Sequence, residues 1–158
     1  MCRIFEPDEY AKSVFDVDFE KLYENGIRGL IFDIDNTLVY QDADSTPQTD
    51  ALFKKLTALG FKTTILSNNS EERVRRFVKN SGIPYISRAR KPLKRGYNRA
   101  LQLIGVKKGQ AVFIGDRLLT DILGAKRTGI YCILVEYLKK DKEKPNIIRK
   151  IEKLLYKR

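Results

Sequence analysis

The feature that most constrains this chain is an alternation. Short apolar runs at 28–33, 61–66, 83–86, 110–114 and 130–135 read as strands. Stretches with helical spacing stand between them, near 49–59, 69–80, 93–104 and 120–129. In the first, Leu52, Phe53, Leu56 and Leu59 share a face, and Gly60 follows as a stop signal. Strands alternating with helices predict an α/β fold: a five-stranded parallel sheet with helices on both faces. In such sheets the chemistry lies beyond the carboxyl ends of the strands. Asp33 and Asp35, Ser67, Lys91 and Asp116 follow four successive strands there.

The first of these ends is the most pointed. Gly29-Leu30-Ile31-Phe32 reads as a strand buried on both faces, and it runs directly into Asp33-Ile34-Asp35-Asn36-Thr37. Two acids at this spacing can hold a divalent cation and still offer an oxygen to a substrate. Asp and Asn are also ordinary turn formers, so the stretch alone admits an Asx turn equally well.

Composition removes several chemistries. The chain has no His, so His-based triads and His metal sites are excluded. Its two cysteines, Cys2 and Cys132, form no disulfide framework or zinc spacing, which points to a reducing, cytoplasmic setting. No apolar run reaches the ~20 residues of a membrane span. The 158 residues fit a single domain over 1–158, with 1–28 an N-terminal segment and 145–158 a C-terminal amphipathic helix. Pro7-Asp8-Glu9-Tyr10 reads as a helix start, and Asp18 to Leu22 as a second short helix closing at Asn25-Gly26.

The net charge of +11 is regional. No Asp or Glu stands between Arg73 and Gly115, a span rich in Lys and Arg, whereas acids outnumber bases over the first fifty residues. The excess suggests an anionic partner, or a solvated basic face. After the charged stretch Lys139 to Lys144, Ile147, Ile148, Ile151, Leu154 and Leu155 share one helical face, with Lys150, Lys153, Lys157 and Arg158 elsewhere. That pattern suits a helix docked on the sheet or a basic helix on a membrane surface.

Four pieces in order bring a family into view: Asp33-Ile34-Asp35-Asn36-Thr37-Leu38, Ser67-Asn68-Asn69, Lys91-Pro92 and Gly115-Asp116 through Asp121. The chain resembles the haloacid dehalogenase (HAD) superfamily of aspartate-nucleophile phosphohydrolases over about 28–136. The longer match is similar to the YqeG-type group of subfamily IIIA, itself similar to phosphatidylglycerophosphate phosphatases. The resemblance implies a HAD-like Rossmannoid fold. It makes Asp33 the nucleophile, Asp35 the general acid-base, and Ser67, Asn68 and Lys91 the substrate-binding groups. Ser67 and Lys91 would act on the phosphoryl group. Asp33, Asp116 and Asp35, the last through its carbonyl, would hold Mg2+, with Asp121 supporting. Arg117 and Lys126 depart from the group's Gln and Asn and are expected to make the rim of the site more basic.

Segments 40–66 and 70–90 leave no room for a cap domain, so the site is expected to be open and suited to a bulky or surface-bound substrate. The expected activity is Mg2+-dependent phosphomonoester hydrolysis, on a lipid phosphate such as phosphatidylglycerophosphate. The expected location is cytoplasmic, peripheral on the inner face of an anionic membrane. The alternatives are a phosphatase of nucleic acid, protein or small soluble phosphates, and a non-catalytic RNA- or ribosome-associated binding module. Intact Asp33, Asp35, Lys91 and Asp116 weigh against pure binding.

Overall fold

The computed structural model describes residues 3–139 and 147–155. Its centre is a six-stranded sheet in which every pairing is parallel. The strands are β1 (Glu9–Ala11), β2 (Gly29–Phe32), β3 (Lys62–Leu66), β4 (Tyr85–Ile86), β5 (Ala111–Gly115) and β6 (Tyr131–Val135). Their spatial order is β1-β6-β5-β2-β3-β4. Strand β2 lies at the middle, flanked by β3 and β5, and its four residues are all buried. Alternation sends Leu30 and Phe32 into one core layer and Ile31 into the other. Helices α1 (Phe19–Glu24), α2 (Pro47–Leu59) and α3 (Glu71–Val78) cover the first face. Helices α4 (Lys94–Ile104) and α5 (Leu123–Thr128) cover the second. Each large side chain taken from water here contributes ~1.5–3 kcal/mol, which is why a sheet covered on both faces tolerates strands this short.

Local signals set the boundaries. Thr46 caps α2 by accepting from Thr49 N, and Gly60 ends it in the left-handed region at φ 104°. Asp18 caps α1 through Lys21 N, as its sequence predicts. Ser70 rather than Asn69 caps α3, its hydroxyl accepting from Arg73 N at 3.3 Å. Asn69 is otherwise engaged, at Asp35. The helix expected to open at Thr120 and Asp121 starts earlier, with a wide turn over Leu118–Ile122 that leads into α5.

The sixth strand is a correction. Pro7-Asp8-Glu9-Tyr10 does not start a helix; Glu9, Tyr10 and Ala11 pair with Ile133, Leu134 and Val135 along the edge of β6. Asp8 N donates to Cys132 O at 3.0 Å, and the Asp8 carboxylate accepts from Cys132 N at 2.9 Å. The edge of β6 offers unpaired backbone groups, and pairing them outweighs a local helix preference. Among the described residues no folded insertion stands between Asp35 and α2, and only α3 and β4, which belong to the core, stand between β3 and α4, so these segments place no cap on the carboxyl end of the sheet.

A last helix, α6, spans Ile147–Leu155. The expected helix start at Pro145-Asn146 and the cations Lys157 and Arg158 lie outside the described residues, as do Cys2 and most of the charged stretch 139–144. Its orientation is the reverse of ordinary docking. Glu152 is buried and the Arg149 side chain is 10% exposed, while Ile147, Ile151 and Leu154 are 73%, 45% and 67% exposed. At the far end of the helix Leu155 packs against the α4/α5 layer.

Candidate active site

The loops beyond β2, β3, β4 and β5 converge on one pocket of about 230 Å³. Asp33, Asp35, Ser67, Asn68 and Lys91 line it, with Arg117 and Arg149. Asp116 and Asp121 stand behind that wall, both buried, Asp121 completely. The sequence-predicted site residues are thus brought together, although they span nearly ninety positions of the chain.

Lys91 is the hub. Its Nζ lies 2.9 Å from Asp33 Oδ1 and 2.7 Å from Asp121 Oδ1, and its side chain is 3% exposed. The other oxygen of Asp121 accepts from Asp116 N and Arg117 N, both at 3.2 Å. Asp121 therefore ties the lysine to the loop after β5. Gly115 makes room for it: a Cβ at that position would overlap the Asp121 carboxylate.

The Ser67-Asn68-Asn69 turn holds the lysine loop. The Asn68 side chain accepts from Lys91 N at 2.7 Å and donates to Lys91 O at 3.2 Å. Arg88 N donates to Asn69 O and Ala89 N to Ser67 O. These bonds fix Arg88 and Arg90 at φ 47° and 55°, left-handed conformations that cost a non-glycine residue ~1 kcal/mol or more each. Ser67 Oγ accepts from Asn69 N at 3.1 Å, which leaves its own proton available to donate.

Asp35 is set apart from Asp33. Its carboxylate accepts from the Asn69 amide, from Asp42 N at 2.8 Å and from Arg73 Nη2 at 3.0 Å. Arg73 is nearly buried, and its Nε and Nη1 find no hydrogen-bond partner among the described residues. Asp35 therefore balances much of its charge, with Asp42 Oδ1 standing 3.8 Å from Nε.

Charge is unbalanced behind the pocket. Asp33, Asp116 and Asp121 each carry an oxygen within 4.8 Å of the others. Burial pushes the Asp33 carboxyl well up; Lys91 opposes this, and Asp121 and Asp116 add to it. Burial and Asp121 likewise raise Asp116, against the pull of Arg149 and Thr37. Burial alone would lower the Lys91 ammonium, but Asp121 and Asp33 outweigh it and hold it above its ordinary range. Three carboxylates against Lys91 and Arg149 leave one negative charge over. An all-oxygen donor set with unspent negative charge fits a hard divalent cation such as Mg2+.

Three partners received no role from the sequence: Arg73 and Arg149 lie outside the motifs, and Thr37 lies within the first one. Arg73 lies within the basic span but shares the buried face of α3 with Val74, Phe77 and Val78; that placement on a buried stripe could have marked it. Thr37 donates to Asp116 Oδ1 at 2.9 Å. Arg149 on α6 reaches Asp116 from the far end of the chain, its guanidinium over the Tyr137 ring at 4.4 Å. Nothing in the amphipathic pattern of α6 marks this arginine apart from its lysines.

The basic span does not act as one surface. Arg73 and Lys91 are consumed inside, and Arg76 pairs with Asp44 at 2.8 Å. Lys107 and Lys108 precede β5, at the opposite end of the sheet from the pocket. Lys126 likewise does not stand on the rim: it pairs with Asp8 at 2.5 Å beside β6, and only Arg117 lines the pocket.

Comparison with known proteins agrees with this geometry. A family model described as haloacid dehalogenase-like hydrolase matches residues 40–129. The chain is 46% identical over 134 residues to "Probable phosphatase YqeG" of Bacillus subtilis, covering 84% of this chain and 78% of that protein. It is 26% identical to "Phosphatidylglycerophosphate phosphatase 1, chloroplastic/mitochondrial" of Arabidopsis thaliana, covering 94% of this chain but 45% of that protein. Among solved structures, a HAD phosphatase from Thermococcus onnurineus superposes with a TM-score of 0.59 at 18% identity, covering 77% of this chain and 91% of the other.

Proposed function

The chain belongs to the haloacid dehalogenase-like hydrolases and is a phosphatase, and we propose that it is a Mg2+-dependent hydrolase of lipid phosphate monoesters that works as one unit through an aspartyl-phosphate. The observation that carries this reading is Lys91 held between Asp33 and Asp121, beside Asp116, at the open carboxyl end of the sheet.

Asp33 is the nucleophile: its carboxylate forms a bond to phosphorus as the alcohol departs. Asp35, anchored on Asn69 and Arg73 at the pocket's other side, protonates the alcohol, then takes the proton of the water that cleaves the aspartyl-phosphate. Lys91 and the Ser67 hydroxyl meet the charge on the phosphoryl oxygens. Asn68 acts through the lysine loop, holding Lys91 at both backbone groups. Asp33, Asp116 and the Asp35 carbonyl would hold Mg2+, with Asp121 supporting. When bound, the ion supplies the positive charge that lets an anionic carboxylate approach an anionic phosphate.

The lipid assignment draws on three supports. The Arabidopsis relative is named for a lipid phosphate. The site has no cap, so a headgroup on a surface can enter it. Helix α6 turns Ile147, Ile151 and Leu154 outward with Lys150 and Lys153 exposed nearby, the pattern of a helix lying on an anionic bilayer. No helix among the described residues is long and apolar enough to cross a membrane; the contact proposed is peripheral, through α6, on the cytoplasmic face.

A phosphate-release screen with Mg2+ tests the reading, over phosphatidylglycerophosphate and other lipid phosphates in mixed vesicles, nucleotides, sugar phosphates and phosphopeptides. Preference for the vesicle-borne lipids is expected. Equal or faster turnover of a soluble class would replace the lipid assignment while keeping the phosphatase.

A further inference from the structure

Arg149 enters the carboxylate cluster from outside the sheet. Its Nη1 donates to Asp116 O at 2.9 Å, and its Nη2 donates to Asp116 Oδ2. The other carboxylate oxygen, Oδ1, accepts from Thr37. Both oxygens of Asp116 are therefore engaged, one of them by a full positive charge. The contact is dry, since the Asp116 side chain is 0% exposed.

The same contact fastens α6. Glu152 Oε1 accepts from Leu119 N at 3.2 Å, and Glu152 lies 3.8 Å from Arg149 and from Arg117. Of the other apolar residues of the helix, Ile147 and Leu154 are mostly exposed and Ile148 and Ile151 about half exposed. Nine residues are too few to stay helical alone in water, so the polar contacts near Asp116 do much to keep α6 in place.

We propose that Arg149 is the counter-ion of Asp116 until a divalent cation takes that carboxylate, so that α6 and the metal compete for one side chain. This rests on the metal reading of Asp33 and Asp116 given above. The charges motivate it. Three carboxylates with Lys91 and Arg149 carry a net single negative charge. Exchanging Arg149 for a divalent cation makes the cluster neutral. Keeping both cations makes it positive within a buried site, before any phosphate arrives, at a cost in repulsion that burial magnifies. Metal binding accordingly loosens α6, and a loosened α6 favours metal binding, because the coupling is reciprocal.

The test uses Mn2+ binding to the full chain, followed by electron paramagnetic resonance of the free ion, and hydrogen exchange of the amides at 147–155 with and without Mg2+. Arg149→Gln is expected to bind Mn2+ about tenfold more tightly than the wild type. Exchange in α6 is expected to accelerate when Mg2+ is added to the wild type. In Arg149→Gln it is expected to be fast with or without the ion. Unchanged or weaker Mn2+ affinity in Arg149→Gln overturns the proposal, as does α6 protection in the wild type that Mg2+ leaves alone or increases. The wild-type exchange measurement decides the matter even if the variant does not fold. Mn2+ bound by the wild type but indifferent to Arg149 overturns this proposal alone. No Mn2+ binding, or equal binding by Asp116→Asn, overturns the metal reading as well.

Discussion

Arg73 holds Asp35: Nη2 stands 3.0 Å from Oδ1, with the two side chains 6% and 15% exposed. The two acids of the Asp33-x-Asp35 pair are thereby given different partners, Lys91 for the first and Arg73 with Asn69 for the second. In the proposed mechanism this division leaves one acid to face phosphorus while its neighbour handles the proton.

Arg73→Met should therefore cost both stability and rate. Removing one partner of a nearly buried pair typically destabilises by ~3 kcal/mol, because the other charge is left uncompensated. Thermal unfolding with and without the substitution measures the first effect, and phosphate release at a temperature where both proteins are folded measures the second. Unaltered melting and turnover would show that Asp35 is positioned by something else.

Gly115→Ala addresses the support beneath Lys91. The added Cβ would overlap the Asp121 carboxylate, and over-packing of this kind costs ~1–3 kcal/mol. Asp121 would be pushed off Lys91 and off the two backbone amides it accepts from. Phosphate release should fall much further than the melting temperature does. A variant with wild-type turnover would remove Asp121 from the lysine's support.

Much of this was legible in the chain. The apolar run before Asp33 buries on both faces, as Gly29–Phe32 predicts, and the polar residues after successive strands meet in one pocket. What escaped was set by distance in the chain rather than by local pattern. Glu9–Ala11 is too short to show a period, and it becomes a strand only because the edge of β6 accepts it. Arg149 looks in sequence like its solvated neighbours, and Arg73 differs from its own only by sharing the apolar stripe of α3; burial against Asp35 and Asp116 separates both. For α6 the apolar face was readable, but not its direction, because Arg149 and Glu152 dock instead.

That direction gives the next prediction. Leu154→Asp, on the outer face of α6, should weaken co-sedimentation with anionic vesicles and leave hydrolysis of a small soluble phosphate ester unchanged. Binding should also fall steeply with salt, since each Lys near an anionic surface contributes ~1 kcal/mol within a Debye length. Negligible binding of the wild-type chain to anionic vesicles at low salt would withdraw the membrane assignment.

Removal of metal is the simplest probe of the carboxylate cluster. Exhaustive chelation should abolish phosphate release, and added Mg2+ should restore it. Asp116→Asn should raise the Mg2+ concentration needed for half-maximal activity, because a buried ligand loses its charge. Full activity in the chelated protein would exclude a metal role for Asp116.

The most direct measurement is phosphate release by Asp33→Asn, with circular dichroism and thermal unfolding recorded on the same sample. The substitution keeps the shape of a residue already close-packed at the end of β2 and removes only its nucleophilic charge. A folded protein whose turnover has dropped by at least ~10⁴-fold is the predicted result, as for loss of a nucleophile elsewhere. Wild-type turnover by a folded Asp33→Asn protein would contradict the aspartyl-phosphate mechanism at its first step.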